Sequence, residues 1–150
     1  MLFRIGVICL TLSKAITQSC GLEECEIKAA LVINLLKFIS DDRDLNFCVN
    51  PSSPLNQLLK IGFAKQASVL SRVKLSFIEK FDNSCDIVLL EKNQDTPRSA
   101  FIISDGVDVD SFNLKIFLVG NKFRFSVNLK RESNVRIDPR LVNLAYEVVR

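Results

Sequence analysis

The chain has no histidine, no tryptophan, one tyrosine and one methionine. Without histidine it lacks the commonest metal ligand and the side chain that most often acts as general base near neutral pH. Its five glycines form no phosphate-binding loop, no dinucleotide fingerprint and no elbow for a nucleophilic serine. Asp105-Gly106 with Asp108 and Asp110 has neither the spacing nor the terminal glutamate of a calcium loop, so it reads as a solvated loop after a strand. Asp86 stands before an apolar run and reads as a turn residue. No catalytic residue, cofactor or metal ligand is therefore expected.

What is present is a 150-residue chain, 48% hydrophobic, in which Phe occurs 11 times. That length points to one domain with a sizeable core. Residues 1–19 read as an export signal. Arg4 gives a positive start, Ile5 to Leu12 is an apolar stretch too short to span a bilayer, and small residues follow. Cleavage after Ala15 or after Ser19 fits equally, and a lipoprotein acylated at Cys20 is a further reading. Loss of Arg4 and Lys14 takes Lys+Arg from 20 to 18 against 17 acidic residues, leaving +1 in place of +3. A charge that small gives no support to a nucleic-acid partner.

Residues 20–150 read as one α/β domain: a mostly parallel sheet flanked by helices, with a C-terminal β-hairpin and a closing helix. The central strand is Cys85-Asp86-Ile87-Val88-Leu89-Leu90, whose unbroken apolar run fits burial on both faces. Leu45 to Val49 reads as its neighbour. Four cysteines remain after export, Cys20, Cys25, Cys48 and Cys85, and allow three pairings. Cys48–Cys85 is the favoured one because the two strands bring these residues close, with Cys20–Cys25 as the complement. A bridge over the 48–85 loop contributes roughly 3–4 kcal/mol in a chain-entropy model.

Helical spacing predicts a helix to about Ile39, with Ile27, Ala30, Leu31, Asn34, Leu35 and Phe38 on its buried stripe. Asn34 there reads as a buried amide, or as a ligand contact. Ser53-Pro54 reads as cap and first residue of a second helix. Val73 to Ile78 alternates like an edge strand. Lys92 to Ser99 is too short for an ordinary parallel crossover, so either its helix is missing or the strand geometry is irregular. Lys115–Val119 and Lys122–Val127 flank Gly120-Asn121 as a hairpin. Asn128 reads as the cap of a short helical piece from Leu129 to Ser133, and Asp138-Pro139 as the start of a final helix presenting Leu141, Leu144, Ala145 and Val148.

Three blocks resemble the YfiR family of small periplasmic proteins. They are Ile27-Lys28-Ala29-Ala30-Leu31 through Asn34, Lys37 and Phe38; Phe47-Cys48-Val49 with Cys85-Asp86-Ile87-Val88-Leu89; and Phe125-Ser126-Val127-Asn128 with Ile137 and Arg140-Leu141-Val142-Asn143-Leu144-Ala145. The resemblance implies a periplasmic α/β protein, usually a homodimer, that regulates by binding. Its expected partner is the periplasmic sensor region of a membrane diguanylate cyclase, held inactive so that cyclic di-GMP and biofilm formation fall. Cys48 and Cys85 match the pair the family widely shares. A second pair found in some members has no counterpart, since no cysteine follows Cys85. Ser40-Asp41-Asp42 replaces the usual aromatic-proline step, Lys92 to Ser99 the usual helix, and Ser111-Phe112-Asn113 a glycine-rich step. The alternative functions are a periplasmic small-molecule-binding module serving a transporter or sensor, and a structural protein of the envelope.

Overall fold

The apolar runs of the chain pair into one sheet whose two faces are covered by different means. The structure is a computed structural model that describes residues 20–107 and 111–150; the leader expected at 1–19, Asp108 and Asp110 lie outside them. In chain order the elements are α1 (Leu22–Leu36), β1 (Leu45–Val49), α2 (Asn56–Lys65), β2 (Val73–Phe77), β3 (Ile87–Leu90), β4 (Phe101–Asp105), β5 (Leu114–Val119), β6 (Lys122–Asn128), α3 (Arg140–Leu144) and β7 (Glu147–Val149). The seven strands lie in the order β2-β1-β3-β4-β5-β6-β7. Only β5 and β6 pair antiparallel. This is the α/β fold expected, with β3 buried throughout and β2 at the edge.

Side-chain alternation divides the core. Phe47, Val49, Ile87, Leu89, Phe101, Ile103, Leu114 and Ile116 face α1 and α2 and form the main cluster with Val32, Leu36, Leu55 and Leu59. Cys48, Val88, Leu90 and Ile102 face the other way and form a smaller cluster with Phe81, Cys85 and Ala100. That second face is covered by connections rather than helices. Chain direction explains it. β1 passes through α2 to β2 on one side, and the chain then recrosses β1 to reach β3, β4 and β5 in the opposite direction. Right-handed crossovers moving in opposite directions use opposite faces. The connections 78–86, 91–100 and 106–113 each fall short of the dozen residues that a helical crossover takes. The 91–100 strand connection is therefore parallel and helix-free.

Several local expectations are corrected. α1 ends at Leu36, and it buries Cys25, Ala29, Val32, Ile33, Leu35 and Leu36. Of the stripe read from the sequence, Leu35 is buried and Leu31 and Phe38 pack partly buried against the core, but Ile27 is 46% exposed, and Ala30 and Asn34 are exposed. Almost every position from Ile27 to Leu36 is apolar, so spacing alone does not choose the face that the sheet and α2 take. Ser53 does not cap α2, whose N-cap is Leu55 with no side-chain cap bond. Ser53 Oγ accepts from Leu55 N at 3.1 Å and closes a turn, and α2 starts at Asn56. Leu129 to Ser133 holds no helix; Asn128 Oδ1 accepts from Lys130 N at 3.0 Å and turns the chain out of β6. α3 has only five residues, and Leu144 is 60% exposed. Val148 belongs to β7, whose flanking backbone bonds run from Tyr146 N to Phe125 O at 3.0 Å and from Leu129 N to Val149 O at 2.9 Å.

Gly62 sets how closely α2 approaches α1, because a Cβ at that position would overlap Ile33 Cδ1. Gly62→Ala is expected to lower stability by about 1 kcal/mol through overpacking, although alanine is the better helix former. Ile33→Val removes the colliding atom. The double variant should therefore exceed the sum of the single changes by about 1 kcal/mol, read from denaturant midpoints.

Candidate functional site

The cysteines meet because their strands are neighbours. β1 and β3 pair with Cys48 opposite Val88, and Cys85 lies just before β3. The Sγ atoms of Cys48 and Cys85 stand at bonding distance with their Cα atoms 5.7 Å apart, buried with Phe81, Val88 and Ile102. The Sγ atoms of Cys20 and Cys25 also stand at bonding distance, with Cα atoms 5.6 Å apart, where the approach to α1 meets its first turns.

The carboxyl ends of the parallel strands gather the most unusual electrostatics. Glu91 follows β3 and Asp105 ends β4, and alternation points both toward the helices. Ser53 Oγ donates to Glu91 Oε2 at 2.8 Å, while Glu91 Oε1 is buried without a hydrogen-bond partner. Lys28 of α1 pairs with Asp105 at 3.3 Å, the two side chains only 19% and 11% exposed. The same ammonium lies 5.4 Å from the centre of the Phe123 ring. Burial pushes the Glu91 carboxyl up to about 7; the Ser53 bond opposes this, the Asp105 charge adds to it, and Lys28 and Lys92 pull it down. The fold thus holds a carboxyl that changes charge near neutrality. Asp105, read from the sequence as a solvated loop carboxylate, is instead committed to Lys28.

Other residues singled out by sequence are placed differently. Asn34 is not a buried amide: it is exposed and lines a groove between α1 and α2. Asp86 is structural, accepting from Asn46 N at 2.7 Å across β1 and β3. Arg124 is exposed on the sheet face away from the helices, opposite Phe117 in the ladder. Arg131 drew no attention in the sequence, yet its guanidinium donates to Ala100 O and Asn113 Oδ1, both at 2.6 Å, and to Arg98 O and Ser111 Oγ, both at 3.0 Å. Asn113 Oδ1 also accepts from Ile102 N at 2.9 Å. Together they tie the connections that follow β3 and β4 to the residues after β6. A lone arginine in a polar stretch carries no sequence mark of this role. Glu91 does carry one: it is the first charge after a run buried on both faces.

The sequence model of the YfiR/HmsC-like family matches residues 25–146. The chain belongs to the YfiR/HmsC-like family. The match runs from the first turns of α1 to the residue before β7, and so takes in Cys25, Cys48 and Cys85 but not Cys20. No curated protein and no solved structure gives a significant match. Among the described residues, no helix of this YfiR/HmsC-like chain is long and apolar enough to cross a membrane.

The raised Glu91 carboxyl has a signed consequence. Its folded value of about 7 lies above the ordinary 4.5, so folding favours the protonated form. The cost of burying the charge is absent below about pH 4.5 and complete above about pH 7. Glu91→Gln keeps an acceptor for Ser53 and carries no charge. It is expected to be more stable than the parent at pH 8 by on the order of 2–3 kcal/mol. Near pH 4.5 the two should be closely matched. Urea unfolding at both pH values checks this, and an equal gain at both would show that charge is not the cause.

Proposed function

We propose that this protein is a periplasmic regulator that binds the periplasmic sensor region of an inner-membrane diguanylate cyclase, holds it inactive and so lowers cyclic di-GMP. Membership of the YfiR/HmsC-like family across residues 25–146 carries this reading. On it, residues 1–19 are an export signal removed on secretion, residues 20–150 are the active domain, and that domain is a homodimer that acts by contact rather than catalysis. The Cys48–Cys85 and Cys20–Cys25 pairs are then disulfides formed in an oxidising compartment. The juxtaposed sulfurs support this assignment. Closing the 48–85 loop fits a regulator whose competence depends on oxidation, because Cys48 and Cys85 anchor the smaller core.

Deleting the gene is expected to raise cellular cyclic di-GMP severalfold, with recovery on expression of the exported protein and none when residues 1–19 are removed. Unchanged cyclic di-GMP while the protein is abundant would overturn the reading. A solute-delivery role would appear instead as a ligand that raises Tm with no effect on cyclic di-GMP. Intact mass of the exported chain, alkylated before or after reduction, is expected to show all four remaining thiols blocked until reduced.

A further inference from the structure

The strand order changes direction at β1. β2 lies on one side of it and β3 on the other, and the connections that leave β1 and β3 cover opposite faces. The loops after β1 and β3 therefore diverge at their carboxyl ends and leave a crevice. In open α/β sheets this is where small ligands bind. Two adjoining depressions of about 690 and 620 Å³ occupy the place, sharing Glu79, Lys80 and Lys92. Those volumes lie in the range of small-molecule sites.

The crevice is braced from beneath. Asn50, 6% exposed, directly follows β1. Its Oδ1 accepts from Ser52 N at 3.2 Å and from Ser52 Oγ at 2.7 Å. Its Nδ2 donates to Glu79 O at 3.3 Å and lies 3.5 Å from Gln94 Oε1. Gln94 Nε2 donates to Glu79 O at 3.3 Å as well. One amide thus holds three loops in fixed relation. Ser52 has committed its proton to Asn50, so the cations that remain to face a ligand are those of Lys80 and Lys92. Both are exposed, and neither forms an ion pair with a described residue. The carboxylates of Glu79 and Asp95 line the same crevice and moderate the field. Two ammonium groups supplied from the loops after β2 and β3, over a braced floor, suit a compact oxyanion rather than an extended polyanion.

From this we infer that the crevice between the loops after β1, β2 and β3 binds a small molecule carrying a compact oxyanion, gripped by Lys80 and Lys92. This does not depend on the cyclase reading, and its test is a binding measurement on the exported protein alone. Inorganic phosphate and phenyl phosphate are titrated at constant ionic strength while backbone amide resonances are followed. Saturable shifts are expected, confined to residues 50, 52, 79–81 and 92–95, with a Kd on the order of millimolar. Lys80→Met and Lys92→Met should each weaken binding about fivefold or more. Lys130→Met, in the turn after β6 at the opposite end of the sheet, should leave it within about twofold. Tighter binding of the ester marks an organic ligand and equal binding a free anion; either supports the site. No saturable shift with either probe, or an equal loss in Lys130→Met, would overturn it. Asn50→Ala should weaken binding while both lysines remain, and full retention of affinity would count against the braced crevice.

Discussion

One face of the sheet is covered by connections too short to contain helices, and much of the structure follows from how their polar backbone is satisfied. A helix meets its own N–H and C=O groups; an extended connection laid over a sheet must find partners elsewhere. Here the partners are a few side chains. Asn50 holds the loops after β1, β2 and β3. Asp86 accepts a backbone N–H across β1 and β3. Asn113 substitutes for a ladder acceptor at Ile102, and Arg131 collects the carbonyls of Arg98 and Ala100. The remaining connection packs Phe81 and Cys85 over the same core beside Cys48. Each contact is worth roughly 1–3 kcal/mol when its partner groups are buried, so each connection relies on one or two residues where a helix would spread the load.

The opposite face works by apolar area. Phe47, Val49, Ile87, Leu89, Ile103 and Ile116 are almost wholly buried beneath α1 and α2, at roughly 1.5–3 kcal/mol for each large side chain. Close packing has an electrostatic counterpart at its rim. Where the strands end beneath the helices, Glu91 and Asp105 meet a dry environment with one cation between them. Lys28 goes to Asp105, and Glu91 keeps only the Ser53 hydroxyl. The raised titration of Glu91 is thus a result of the same packing that stabilises the domain.

The sequence was most legible where one signal sufficed. The strand at Ile87–Leu90 announces itself by four apolar residues without alternation, the hairpin by Gly120-Asn121, and the edge strand by its polar interruptions. Adjacency of β1 and β3 then brings Cys48 toward Cys85. Legibility failed where two structures share a pattern. In α1 apolar residues surround the helix, and tertiary packing chose a stripe that spacing had not. At the C-terminus, Leu141, Leu144, Ala145 and Val148 have helical spacing, yet ladder bonds from Tyr146 and to Val149 draw the last residues into a strand. The polar network was almost invisible, because Arg131, Asn50 and Asn113 act through partners distant in sequence.

Two local polar networks fasten segments that lie outside the helices and strands. At the exit of α1 the Arg43 guanidinium grips Asp41 at 3.0 and 2.9 Å while Asp41 Oδ2 accepts from Arg136 N at 3.3 Å. That grip holds the Asp41 carboxyl well below the usual carboxylate range and ties the exit of α1 to the segment before α3. The helix-free 91–100 connection rests on Arg131, and Asn113, just before the hairpin, completes the same network. In an α/β fold of this kind, the helix-covered face is constrained by volume and tolerates little change. The connection-covered face is constrained by a few directional bonds, and a single substitution can replace one such bond with another.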